Sequence, residues 1–255
     1  MGIMYSMLSI VILAKNESQN LRELIPALLS ISDDIIVYDD HSTDDTSSIA
    51  QSAGARVITS IDTHTFSEKR NYLMQNVRHD WILHIDADER VDEHLKQWLS
   101  AGSFAKNPHA AYAIRRVDRF WGRMVSHGEV ASAAQDGIVR LMPKNSGAWT
   151  GTVHETFTVK DSISVALAPG TLLHTPHETV AAFVHDINVY STLRAEELRG
   201  RAPHYVVLLQ MLVYPPAKFW YTYIVKGGWR DGAAGFAYSF LMAFHSFLVR
   251  AKILA

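Results

Sequence analysis

Three short stretches carry the residues best suited to chemistry: Lys15-Asn16-Glu17, Asp39-Asp40-His41-Ser42-Thr43-Asp44-Asp45 and Asp86-Ala87-Asp88-Glu89. Each follows an apolar run: Leu8 to Ala14, Ile35 to Tyr38 and Trp81 to Ile85. Ligands of open parallel α/β sheets sit beyond the carboxyl ends of the strands. One polar cluster there reads as a turn or helix cap; three acidic ones on one edge point to a ligand. The first strand-to-helix turn contains no glycine, which excludes a dinucleotide fingerprint and a phosphate-cradling Walker loop. A diphosphate at an acidic edge therefore needs a dication between phosphate and carboxylate. Residues i and i+2 of a strand share a side, so Asp86 and Asp88 offer hard oxygen ligands suited to Mg2+ or Mn2+.

The elements that must position these residues follow from periodicity. Continuous apolar runs predict strands at Leu8 to Ala14, Ile35 to Tyr38, Arg56 to Thr59 and Trp81 to Ile85. Helical spacing predicts helices over Glu17 to Ser30, Asp44 to Ala53, Phe66 to Val77 and Asp92 to Ala101. Ser42 or Thr43 is the expected cap of the second helix and Gly54 its stop. This alternation predicts a parallel sheet covered on both faces. From Ala110 onward strands are expected at Tyr112 to Phe120, Gly137 to Met142, Thr152 to Val159 and Ser164 to Leu167, as a mixed or antiparallel extension. Helical spacing returns over His177 to Leu198, 203–225, where Pro215 and Pro216 interrupt, and 233–252.

The chain of 255 residues holds 24 Lys and Arg against 26 Asp and Glu, and 48% of it is apolar. That composition excludes a disordered or collagenous chain and gives no reason to expect nucleic acid as a partner. The absence of cysteine excludes disulfides, zinc–thiolate sites and a cysteine nucleophile, and fits a reducing compartment. The N-terminus has no basic leader before its apolar run and is read as a strand, not a signal peptide. Charge is uneven: residues 1–185 carry 16 basic and 22 acidic side chains, residues 186–255 carry 8 and 4. The basic, aromatic-rich end is expected to act as a separate unit.

LSIVILAKNE, IIVYDDHSTDDT, FSEKRN and WILHIDADE follow one another in the order and spacing of family 2 glycosyltransferases of the GT-A fold, over about residues 7–100. GTVHE at 151–155, LLHTPHET at 172–179 and KGGWRDGAAGF at 226–236 resemble one subgroup, the bacterial lipopolysaccharide-core β-glucosyltransferases. The resemblance implies an α/β, Rossmann-like GT-A domain over 1–176. Its donor-nucleotide half is 1–105 and its acceptor half 106–176, with a helical region at 177–255. Asp39 and Asp40 match the position contacting uracil or ribose, as carboxylates can. Ala14 and Glu17 match the donor-contacting end of the first strand, and Lys69 or Arg70 a basic residue near the donor. Asp86 and Asp88 match the ribose and metal position, with Asp88 the expected direct ligand of a divalent cation. His41 stands where the family often has Gly. Glu155 is the expected catalytic base that takes the acceptor proton, and Asp136 the second candidate.

His174 and His177 would be a zinc pair only with a third ligand, and none is evident; the structural reading is preferred, with His174 still in reach of a diphosphate. Residues 203–225 and 233–249 are apolar and flanked by Lys218, Lys226, Arg230, Arg250 and Lys252. They fall short of a convincing span and suit the headgroup boundary of the cytoplasmic leaflet, where a lipid-linked acceptor would be met. A hairpin covering the sheet or a dimer interface are the other readings. The expected activity is inverting transfer of one hexose from UDP-glucose to a lipopolysaccharide-core saccharide, at the inner face of the membrane. The Q-x-x-R-W signature of processive synthases is absent. A nucleotidyltransferase, or a non-catalytic nucleotide-sugar-binding module, are the alternatives; the first lacks its usual Gly-rich basic loop.

Overall fold

The computed structural model describes residues 7–59, 65–151, 155–177 and 179–255. In chain order the elements begin β1 (Leu8–Ala14), α1 (Ser18–Leu28), β2 (Asp34–Asp39), α2 (Thr46–Ser52), β3 (Arg56–Thr59) and α3 (Phe66–Gln75). They continue β4 (Trp81–Asp86), β5 (Glu89–Val91), α4 (Glu93–Ser100), β6 (Ala110–Phe120), β7 (Arg123–Val125) and α5 (Ala131–Gln135). β8 (Ile138–Pro143), β9 (Gly147–Thr150), β10 (Thr156–Val159) and β11 (Ser164–His174) lead to α6 (Val180–Leu198), α7 (His204–Trp220) and α8 (Gly232–Leu254). Two compact units result. One comprises residues up to Arg116 with Asp136–Leu173, the other Val117–Gln135 with His174–Ala255.

The first unit is built on a sheet ordered β3-β2-β1-β4-β8-β6-β11-β5. β1 runs parallel to β2 and β4, and β2 to β3. β8 lies antiparallel to β4 and β6, so the expected mixed extension is present. Strand register fixes what lies at the carboxyl edge: Ala14 sits opposite Asp39, and Leu13 opposite Asp86. Side chains alternate across the pleat. Trp81, Leu83 and Ile85 pack with Leu21, Leu24, Ile25 and Leu28 of α1. Ile82 packs with Leu73 and Met74 of α3 and with Trp149. His84 and Asp86 share the face of Ile82 and so point toward α3. Burying each such aliphatic side chain contributes about 1.5–3 kcal/mol, which holds α3 and β4 in register.

Two local readings are corrected. Ser42 and Thr43 do not cap α2. The Asn16 N–H donates to Ser42 Oγ (2.9 Å) and the Thr43 N–H to Asn16 Oδ1 (2.7 Å), so both knit the first two loops together, and Asp45 takes the cap position. The strand predicted to end at Leu167 runs on to His174. Pro169-Gly170 looks like a stop, but Gly170 has φ +83°, and a Cβ there would lie 2.4 Å from the Leu95 nitrogen. The glycine lets β11 pass the start of α4. Of the strand expected over Thr152 to Val159, Thr156–Val159 forms β10; residues 152–154, His154 among them, lie outside the described residues.

In the second unit β7 pairs with Asp118–Phe120 of β6. Phe120, Val125, Phe183, Ile187 and Ala234 form its core. α7 continues through Pro215 and Pro216, which do not interrupt it, and widens into a π turn at Tyr221–Val225. Of its residues only Val207 is buried. Among the described residues, one helical stretch, Gly228–Leu254, is long and apolar enough to cross a membrane.

Candidate active site

α3 spends three consecutive residues on four different partners. A capping box between Thr65 and Glu68 starts the helix, which sets the faces that follow. Lys69 Nζ meets Asp40 Oδ1 at 2.7 Å. Arg70 Nη2 meets Asp86 Oδ1 at 2.7 Å, and its Nε meets Glu155 Oε1 at 3.2 Å. Asn71 exchanges two hydrogen bonds with the Trp149 backbone, at 2.8 and 2.9 Å. The Arg70 guanidinium also lies 4.8 Å from the Trp149 ring centroid. Lys69 and Arg70, left open as alternatives by sequence, therefore have separate partners: Lys69 steadies the end of β2, Arg70 the end of β4.

Asp86 lies between two arginines. Arg140 Nη2 reaches its Oδ2 at 2.6 Å and also reaches Glu89 at 3.4 Å. Burial alone would raise the Asp86 carboxyl, but the Arg140 and Arg70 guanidiniums outweigh it and hold it well below the usual carboxylate range. Glu89 is fully buried, accepts the Asp86 N–H at 2.9 Å and lies 3.6 Å from Arg116. Its carboxyl is pushed up by burial, against Arg140. β4 ends at Asp86, and residues 87–88 form a turn into β5. The i, i+2 geometry of a strand therefore does not extend to Asp88, because Glu89 closes the turn by taking the Asp86 N–H. Asp86, expected to share a cation with Asp88, spends both oxygens on guanidiniums.

Behind this cluster His84 is wholly buried, and burial first, then the Arg70 and Arg140 charges, push its imidazole well below its usual range. Neutral Nε2 accepts from the Trp149 indole at 3.1 Å. Arg70, Asp86, Arg116, Arg140, Trp149 and Glu155 line one cavity of about 500 Å3, within the range typical of ligand pockets. Arg70 Nη1 and Arg140 Nε are buried there without a hydrogen-bond partner among the described residues. Only one Glu155 oxygen is engaged among the described residues.

At the other strand ends, Ala14 is buried and its carbonyl accepts the Asp40 N–H at 2.8 Å. Asp39 accepts the Ser42 N–H at 3.0 Å, the turn role available to it. His41 has φ +57°, which explains why glycine suits that position. Glu17 is held by Asn20 at 2.7 Å, and burial raises its carboxyl, with the Asp88 and Asp44 charges adding to the effect. Asp136 sits exposed in the turn before β8 and does not line the cavity.

No group of three His, Cys, Asp or Glu able to hold a metal occurs among the described residues. A phosphate-bound Mg2+ needs only one or two carboxylates, and Asp88, whose charge is felt at Glu17, fits a one-carboxylate site. Asp86 does not fit as a second ligand while both arginines hold it. His174 Nδ1 is bound to Asp118 at 2.8 Å and His177 pairs with Asp186 at 3.1 Å, consistent with structural histidines. Sequence reasoning missed Arg140, Arg116 and Glu89. The available signal was an arginine inside the apolar run Ile138-Val139-Arg140-Leu141-Met142, which requires a buried counter-charge.

Residues 9–147 match the family model described as glycosyl transferase family 2. An uncharacterized glycosyltransferase of Rickettsia typhi is 26% identical over 261 residues, covering 96% of this chain and 86% of that protein. The lipopolysaccharide core biosynthesis glycosyltransferase LpsC of Rhizobium meliloti is 26% identical over 254 residues, covering 96% and 91%. The crystal structure of a mycobacterial protein aligns with a TM-score of 0.50 at 17% identity, over 74% of this chain and 73% of that one. That likeness is one of fold, and the parallel strands with their antiparallel extension are the GT-A arrangement.

Proposed function

This chain belongs to glycosyl transferase family 2, and from that premise we propose that it moves a single hexose, with inversion, from a nucleotide-diphospho-sugar to a lipopolysaccharide-core saccharide. UDP-glucose is the proposed donor. The observation that carries this reading is Arg70, whose one guanidinium holds Asp86 at the donor edge and Glu155 in the cavity. Donor edge and base are thus within one side chain of each other. Glu155 takes the acceptor hydroxyl proton as that oxygen attacks the anomeric carbon. The bond from that carbon to the diphosphate oxygen breaks, and its electron pair leaves with the nucleotide. Arg70 keeps the Glu155 carboxylate oriented for this, and the Arg70–Asp86–Arg140 network keeps Arg70 in place.

Asp39 and Asp40 accept from uracil or ribose. Ala14 and Glu17 border the donor. Asp88 would hold a Mg2+ or Mn2+, which would neutralise the departing diphosphate. The exposed apolar faces of α7 and α8, with Lys226 and Arg230 beside them, support peripheral docking on the cytoplasmic leaflet, where a lipid-linked acceptor would be met. Its relative LpsC supports lipopolysaccharide core as the acceptor class. The test is UDP-glucose with Mn2+ and a deacylated core oligosaccharide. Acceptor-dependent UDP release with a β-linked product is expected; no release across core acceptors, or an α-linked product, overturns the reading.

A further inference from the structure

The segment Lys226–Gly232 joins α7 to α8 and is tightly built. Gly227 and Gly232 have φ +73° and +63°. A Cβ on Gly235 would lie 2.0 Å from the Gly228 oxygen, and one on Gly228 would lie 3.0 Å from the Thr222 oxygen. Backbone therefore packs on backbone, which explains the glycines of KGGWRDGAAG. The loop's one carboxylate is spent inward: Asp231 accepts from the N–H groups of Ser126 (3.1 Å) and His127 (2.8 Å) and pairs with His127 Nδ1 (2.8 Å). The Gly128 N–H donates to the Lys226 carbonyl at 3.0 Å.

What remains outward is cationic. Lys226 and Arg230 have no carboxylate partner among the described residues; their charges lie 5.5 Å from the Tyr221 and Trp229 rings. Both line a cavity of about 380 Å3 that His127, Ser132 and Gln135 share and to which no Asp or Glu contributes. Val225, 72% exposed, and Trp229, 52% exposed, also line it. A rigid, donor-rich hollow bordered by exposed aliphatic and indole surface matches the layer where lipid phosphate meets acyl chain.

We propose that the Lys226–Arg230 cavity binds the headgroup phosphate of an anionic glycerophospholipid, with Val225 and Trp229 resting against the acyl boundary. The proposal rests on the peripheral docking read above but shares no residue with those assigned to sugar transfer, so transfer to a soluble core saccharide tests that other reading independently.

The experiment is co-sedimentation of the full chain with phosphatidylcholine vesicles, with and without phosphatidylglycerol. Removing two cations near such a surface, as in Lys226→Gln with Arg230→Gln, should weaken anionic-vesicle binding about thirty-fold. The same charge removed by Arg199→Gln with Arg201→Gln, elsewhere in the helical unit, should weaken it less than about threefold on the same scale. Equal losses from the two pairs, or none from the first, overturn the proposal. On the unmodified chain, phosphatidylglycerol vesicles should shield Lys226 from acylation while Lys106, exposed on the α/β unit, stays reactive. Equal labelling of the two lysines refutes the proposal, as does inorganic phosphate shielding Lys226 as well as the vesicles do.

Discussion

Asp86→Asn should destabilise the α/β unit more than any surface ion-pair deletion. The carboxylate holds two guanidiniums, at 2.7 and 2.6 Å, whose side chains are 5% and 6% exposed. Removing one partner of a buried ionic set costs about 3–5 kcal/mol; here Arg70 and Arg140 would stay desolvated with only their longer contacts to Glu155 and Glu89, at 3.2 and 3.4 Å. Asp86 is itself 27% exposed, so the lower end applies, about 3 kcal/mol. Its folded pKa is depressed. The carboxylate's stabilisation is therefore fully present above the unfolded value near 4 and is lost as pH falls through the lower folded value. Urea unfolding of both proteins should show a difference that is constant from about pH 5 to 8 and shrinks in stronger acid. A single-variant cost under about 1 kcal/mol, typical of an exposed pair, would refute the buried network.

Other perturbations test other parts of the molecule. Lys69→Met should leave the fold intact but release Asp40, weakening UDP binding by calorimetry about fivefold, the worth of about 1 kcal/mol. Asp88→Ala should remove the cation dependence of UDP-sugar binding, so that thermal stabilisation by UDP-glucose no longer differs between Mn2+ and EDTA. Gly235→Ala should destabilise the helical unit by about 1–3 kcal/mol, as overpacking does, because its Cβ would overlap the Gly228 carbonyl. Thermal melts followed by far-UV circular dichroism would show it.

Much of this was legible in the residues, for identifiable reasons. β1, β2 and β4 are buried on both faces, so their apolar runs are unbroken and their polar ends stand out. Parallel pairing then brings Ala14, Asp39 and Asp86 to one edge. The Arg140–Asp86–Glu89 network was not legible, because Arg140 lies 51–54 residues from the other two and antiparallel pairing of β8 with β4 brings them together. Glu89 reads as one more loop acid, yet the turn it closes moves Asp88 off the strand. In β11 a glycine at positive φ extends a strand where Pro169-Gly170 suggests its end.

The most direct measurement compares Glu155→Gln with the unmodified chain, with donor binding and turnover followed on the same preparation. UDP-glucose affinity in Mn2+ should be unchanged, while transfer to the core oligosaccharide falls by about 10²–10⁴-fold, the contribution of a general base. Full transfer by Glu155→Gln, or loss of donor affinity equal to the loss of turnover, would contradict the assignment of Glu155 as the base oriented by Arg70.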